Sequence, residues 1–319
     1  MKLLRLYILL LLLSNGLASP AAGQHIDAAF RIVGYYKGDL VNYQGKINFS
    51  QITHLNIAFI NPDERGIFHP VPGLTALVSK AHEHHVKVLA AIGGGRAPEY
   101  YSSLIAQEKR GELIKNIAGM MNNYGLDGID VDLEGSLITN EYAGFILQLA
   151  DAIKPRGLLT AALASNNAGK LDEETLRNFD FINVMSYDKT GPWKPLEPGQ
   201  HAPYSMAVDD IEFWVSKGLS GSKLNLGLPF YGYGFNSRTV SMSYSKLINS
   251  YPGAEKRDEL KLNDGGTLYY NGIPSIKSKT KLALEKTGGI MIWQIAQDTT
   301  GKKSLLFNIH QVIDNYKIP

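Results

Sequence analysis

Residues 127–134 read Asp-Gly-Ile-Asp-Val-Asp-Leu-Glu. Asp130, Asp132 and Glu134 alternate with Ile129, Val131 and Leu133. Period-two alternation is that of a β-strand, whose successive side chains point to opposite faces. One face is apolar and the other carries carboxyls. Two-residue steps at roughly 3.3 Å rise per residue set neighbouring carboxyls about 6.5 Å apart. Like charges at that range push proton affinities apart and leave some members protonated near neutral pH. A protonated carboxyl beside an ionised one is the raw material of acid catalysis.

Such a strand needs a frame that turns its acidic face inward. Other strands are expected at residues 31–37, 54–60, 87–92, 158–164, 181–187, 223–228 and 289–295, with the acidic strand at 128–134. Most are β-branched or aliphatic, as strands buried on both faces should be. Helical patterns fall at 74–85, 98–121, 141–153, 172–178, 206–218 and 276–287. In the first of these, Leu74, Leu77, Val78 and Ala81 share one stripe. Strands alternating with helices imply an α/β chain, a single-domain (β/α)8 TIM barrel. A doubly wound open sheet is the alternative. In a barrel the apolar face of residues 128–134 meets helices and the carboxyls face the interior. Barrel active sites lie at the carboxyl ends of strands, which is where Glu134 stands. Segment 233–288 is too long for a simple crossover. Its turn sequences Asn263-Asp264-Gly265-Gly266 and Asn271-Gly272 suit a small elaboration of the rim before the eighth strand.

Composition narrows the function further. The chain has 319 residues, enough for one large barrel. Lys2 and Arg5, an apolar run at 6–13 and small residues at Ala18, Ser19 and 21–23 read as an export signal. Cleavage after Ala18 or Gly23 fits; residues 1–23 are expected to be removed, leaving 24–319 as the barrel. The apolar run is too short to span a membrane. Without Lys2 and Arg5 the chain has 30 basic and 30 acidic residues, a balance that recruits neither nucleic acid nor an anionic membrane. There is no cysteine, which excludes disulfides, thiol catalysis and cysteine-ligated zinc. A secreted protein, extracellular or periplasmic, is expected, a monomer with no cofactor and no metal.

The octapeptide, as Asp127-Gly-x-Asp130-x-Asp132-x-Glu134, resembles the signature of family 18 glycoside hydrolases, the chitinases and endo-β-N-acetylglucosaminidases. Four further elements resemble that family in its order along the chain: Met185-Ser186-Tyr187-Asp188; Gly191-Pro192-Trp193 with Gly199-Gln200-His201-Ala202-Pro203; Gly227-Leu228-Pro229-Phe230-Tyr231-Gly232; and Gly288-Gly289-Ile290-Met291-Ile292-Trp293 with Asp298 beyond. The resemblance implies retaining hydrolysis of N-acetylglucosamine-containing oligo- or polysaccharides without an enzyme nucleophile. In it Glu134 protonates the glycosidic oxygen and the substrate's acetamido oxygen attacks the anomeric carbon. Asp132 holds the acetamido N–H, Asp130 shares a proton with Asp132, and Asp127 helps fix that pair. Tyr187 donates to the acetamido carbonyl. Asp188, Trp293, Met185, Tyr35, Trp193 and Tyr231 are implied as substrate-binding, with Trp293 as the floor under the sugar and Trp193 as either a rim platform or a packing lid. The resemblance departs at Ala91, where many members have Ser, and at Gly95, where many have Trp. The first removes a hydroxyl expected near Asp130, the second a platform on the leaving-group side. With a short rim segment these departures suggest an open, shallow groove.

Other readings of the same residues are weaker. A calcium loop would need a glycine turn and a later Glu. Gly93-Gly94-Gly95 lacks the Gly-Lys-Ser/Thr ending of a phosphate cradle. His82, His84 and His85 have no evident acidic third ligand and read as a solvated helix end. Three functions stay open: a chitinase, an endo-β-N-acetylglucosaminidase acting on the diacetylchitobiose core of N-glycans, and a glycan-binding protein without catalysis.

Overall fold

The computed structural model describes residues 30–154, 156–235, 240–263 and 265–316. The expected export signal and its cleavage points lie outside these residues, as does Asp264 of the expected turn. Seven strands run β1 (Arg31–Tyr36), β2 (His54–Ala58), β3 (Lys87–Gly93), β4 (Gly128–Asp132), β5 (Leu158–Leu163), β6 (Phe181–Val184) and β7 (Leu224–Pro229). Four short strands follow, β8 (Tyr231–Phe235), β9 (Val240–Ser243), β10 (Glu259–Lys261) and β11 (Thr267–Tyr269), and then β12 (Gly289–Trp293). Strands β1 to β7 and β12 close into an eight-stranded parallel barrel, with β12 between β7 and β1. The (β/α)8 expectation holds, and the open sheet is excluded.

Helices cover the barrel: α1 (Leu74–Glu83), α2 (Tyr101–Leu104), α3 (Arg110–Tyr124), α4 (Tyr142–Ile153), α5 (Glu173–Arg177), α6 (Tyr204–Ser216), α7 (Tyr244–Ser250), α8 (Ile273–Lys286) and α9 (Leu305–Asn315). The stripe Leu74, Leu77, Val78 and Ala81 is buried, as its spacing predicts. The helix expected over 98–121 is instead two helices. The Ala106 carbonyl, which accepts from both Lys109 N and Arg110 N, marks the turn between them.

Two apolar cores result. The larger lies between strands and helices and contains Ile129, Val131 and Leu133. The smaller fills the barrel and contains Val33, Tyr35, Ala91, Phe181, Tyr187 and Met291. The alternation of β4 therefore partitions as expected, with Asp130 and Asp132 inside the barrel, both buried. The segment before β12 is a rim elaboration, a four-stranded antiparallel sheet in the order β10-β11-β8-β9. It is tied to the barrel where Phe230 N donates to the Trp293 carbonyl at 2.8 Å.

Candidate active site

Register within the barrel sets the lower part of the site. Asp130 pairs with Ala91 on β3 and Thr160 on β5, and Asn183 on β6 pairs with Asn225 on β7. Asp130 Oδ1 accepts from Thr160 Oγ1 at 2.5 Å and Asn183 Nδ2 at 3.1 Å; Oδ2 accepts from Tyr35 OH at 2.5 Å. Asn225 Nδ2 donates to Asn183 Oδ1 at 2.9 Å, and Arg31 Nε donates to Asn225 Oδ1 at 2.9 Å. A polar ladder thus descends the barrel interior. Burial raises the proton affinity of Asp130, and the donors from Thr160, Tyr35 and Asn183 oppose that rise. Asn56 is also fully buried facing this carboxyl and opposes the rise, without meeting a strict hydrogen-bond geometry. Ala91 beside Asp130 carries no hydroxyl, and Thr160 and Tyr35 supply the two that reach this carboxyl.

Above the ladder the carboxyls are less satisfied. Asp132 Oδ1 is buried and has no hydrogen-bond partner. Burial, then the charges of Glu134 and Asp130, hold the Asp132 proton affinity well above the ordinary carboxyl range. Burial also raises Glu134, assisted by the charge of Asp188. The hydrogen bond between the two carboxyls raises Asp132 further and opposes the rise of Glu134, so the two compete for a shared proton. The backbone of residues 93–95 makes room for them. Gly94 N donates to the Asp132 carbonyl at 2.7 Å, and a Cβ on Gly93 would stand 2.3 Å from that oxygen. Gly93 also has φ +103°, which suits glycine alone. A Cβ on Gly95 would lie 3.3 Å from Glu134 Oε1, so this glycine keeps the approach to the acid open.

The wall opposite comes from β6 and the loop after it. Tyr187 is buried, and among the described residues its hydroxyl donates only to the Met291 thioether, at 3.8 Å. Burial and the charges of Asp132, Asp188, Glu134 and Asp130 raise its proton affinity, so the phenol stays a donor. Asp188 has φ +64°. Its Oδ1 accepts from Tyr231 OH at 2.6 Å and lies 3.3 Å from His201 Nδ1. Trp293 stacks on Phe59 at 5.6 Å and meets Tyr35 edge-on at 5.6 Å. Met185 packs against the inner core. Trp193 is 54% exposed and rests edge-on against Tyr233 at 5.7 Å, so it projects from the rim rather than closing it.

One sequence expectation needs correction, the place of Asp127. Asp127 does not reach Asp130 or Asp132. It precedes β4 at the amino end, where its Oδ2 accepts from Val88 N at 2.7 Å and meets His82 Nε2 at 2.8 Å. His82 is the exposed helix end its sequence predicts, and among the described residues its ring makes this one contact. Tyr35 is 1% exposed and donates to Asp130, a partner its sequence did not assign. The Tyr231 hydroxyl donates to Asp188. Residues left unassigned are Asn56, Thr160, Asn183, Asn225 and His201. Each of the first four is a lone polar residue in a largely apolar strand, and that recurrence was the available signal.

The model "Glycosyl hydrolases family 18" matches residues 31–298. The crystal structure of the GH18 chitinase ChiB from Flavobacterium johnsoniae superposes with a TM-score of 0.83 at 36% identity, covering 89% of this chain and 94% of that one. The class V chitinase from Nicotiana tobaccum in complex with NAG4 shares the fold, with a TM-score of 0.75 at 22% identity over 89% and 98% of the two chains. A chitinase-like effector from Moniliophthora roreri is 28% identical over 264 residues, 72% of this chain and 64% of its own length. The chain thus spans under two thirds of that curated relative.

Proposed function

This chain belongs to the family 18 glycoside hydrolases, and on that premise we propose that it hydrolyses β-1,4-linked N-acetylglucosamine in chitin or chitooligosaccharides. Glu134 gives its proton to the glycosidic oxygen as the bond from that oxygen to the anomeric carbon breaks. The acetamido oxygen of the same sugar forms a new bond to that carbon, giving an oxazolinium ion. Asp132 Oδ1 accepts the acetamido N–H and, with its own proton passed to Asp130, its carboxylate balances the positive charge. Tyr187 donates to the acetamido carbonyl oxygen. Water then adds to the anomeric carbon, its proton passing to the Glu134 carboxylate, and the acetamido group is released. Asp130 takes part as the proton partner of Asp132, held by Thr160, Tyr35 and Asn183. Asp188 contacts the sugar and Trp293 lies under its apolar face.

One observation carries this reading: a buried Asp132 oxygen without a donor, next to Glu134, whose proton affinity burial raises, and to a Tyr187 phenol that meets only a thioether among the described residues. Buried polar atoms are rarely left unpaired, and an acetamido N–H supplies what this one lacks. The export signal read at residues 1–23 supports action outside the cytosol. Release of reducing sugar from chitin oligomers, run beside a high-mannose glycoprotein, tests the proposal. Turnover of the oligomers supports it. Turnover of the glycoprotein alone would make the chain an endo-β-N-acetylglucosaminidase, and binding without turnover of either would make it a lectin.

A further inference from the structure

Beside Asp188 lies a second buried polar cluster that this chemistry does not use. Lys279 of α8 is fully buried. Its ammonium donates to the Ala202 carbonyl at 2.7 Å and to Asn271 Oδ1 at 2.8 Å. Asn271 Nδ2 donates to the same Ala202 carbonyl at 3.0 Å. One backbone oxygen therefore receives two donors, one of them charged. Ala202 follows His201, whose ring is fully buried and whose Nδ1 faces Asp188 Oδ1. The same loop is tied down by Gln200, which donates to the carbonyls of Asp258 and Tyr270 at 3.0 and 2.8 Å. Asp188, at φ +64°, has a backbone that a non-glycine residue keeps only when its surroundings hold it.

Stability alone does not explain the lysine. Burial pushes its proton affinity down, to about 7, and the charges of Asp258 and Asp210 recover only part of that. Neither carboxylate forms an ion pair with it: Asp258 accepts from Gly272 N and Ser275 Oγ, and Asp210 from Ser165 Oγ. A buried charge is commonly matched or bettered in stability by an apolar residue of similar volume. What the ammonium provides is a fixed Ala202 carbonyl.

We propose that Lys279 is a positioning residue for sugar binding: it holds the Ala202 carbonyl, which sets the His201 ring, which in turn sets the Asp188 carboxylate toward the acetamido sugar. This rests on the N-acetylglucosamine reading of the site. The test separates the two by measuring binding without turnover. Calorimetric titration with tetra-N-acetylchitotetraose is run in a Glu134→Gln background. Lys279→Met is expected to weaken binding about tenfold, the scale of losing a charge-assisted hydrogen bond. His201→Phe is expected to weaken it comparably. The double variant should be no weaker than His201→Phe alone, because both changes act through one contact. Unchanged affinity in Lys279→Met, with or without a lower Tm, overturns the proposal, as do losses that multiply in the double variant. Should Lys279→Met fail to fold, Asn271→Asp takes its place: it keeps an acceptor for Lys279 and removes the second donor to Ala202. The same coupling to His201→Phe is then required. If the Glu134→Gln parent does not bind the tetramer, the substrate reading fails and this proposal with it. Parental binding that Lys279→Met leaves intact sinks only the role of Lys279.

Discussion

The two ends of β4 carry the same chemical group in opposite states. At the amino end Asp127 has a backbone donor and a histidine. Further down the interior, Asn225 accepts from Arg31, which also donates to the Ser222 carbonyl at 2.5 Å. At the carboxyl end Asp132 keeps an orphaned oxygen, the Tyr187 hydroxyl donates only to a thioether among the described residues, and burial raises the proton affinities of Asp132 and Glu134. Satisfied polar groups hold the barrel together. Unsatisfied ones at the other end of the strand keep binding potential for something that arrives later.

Substitutions at the two ends should therefore separate activity from stability. Glu134→Gln is the strongest case. Turnover of chitin oligomers should fall by about 10³-fold or more, the scale of losing a positioned general acid. Its Tm at neutral pH should stay level or rise. Glu134 binds its proton more tightly in the folded chain than in the unfolded one, so stability is eroded as pH climbs above the unfolded value, and glutamine removes that dependence. Retained turnover would end the proposed role of this carboxyl.

Tyr187→Phe comes next. Steady-state kinetics should show a fall in kcat of about 10²-fold, as for one preorganised donor. Thermal unfolding should change little, since the hydroxyl has no strong partner in the protein. A large loss of Tm with normal kcat would place Tyr187 among the structural groups instead.

Asp188→Asn acts through charge. The Asp188 carboxylate helps raise Glu134, so removing it should move the alkaline limb of the kcat/KM profile to lower pH. Activity requires protonated Glu134, so it is present below the folded pKa and lost as pH rises through it. A shift of that limb to higher pH would contradict the assignment of the acid.

Asp127→Asn is the smallest effect and the control for the other end. Its loss should cost roughly 1 kcal/mol, or a few degrees of Tm. Turnover per folded molecule should be unchanged. A catalytic defect comparable to Tyr187→Phe would return Asp127 to the acidic cluster.

Much of this contrast was legible before the fold was known. The barrel strands follow from apolar runs, and β1, β5 and β12 end within a few residues of expectation. Strand β6 stops at Val184 rather than at 187, because Ser186 N turns back to the Val184 carbonyl and swings Tyr187 and Asp188 over the barrel mouth. The rim elaboration and its 263–266 turn were legible, and the strand order was not, because Tyr233 opposes Tyr269 across a long stretch of chain. Asp130, Asp132 and Glu134 were readable from alternation alone. Asp127 was misplaced even though the same alternation puts an odd position on the face opposite Asp130. Thr160, Asn183 and His201 went unassigned because their partners lie on other strands and loops, and register is not written in any one segment.

The decisive measurement is the anomeric form of the first product, followed by proton NMR from the moment enzyme meets chitin oligomer. Attack by the acetamido oxygen followed by water requires β-anomer first, with α-anomer appearing only by mutarotation. An initial product in the α form would mean direct displacement by water, and the orphaned oxygen of Asp132 would need another explanation.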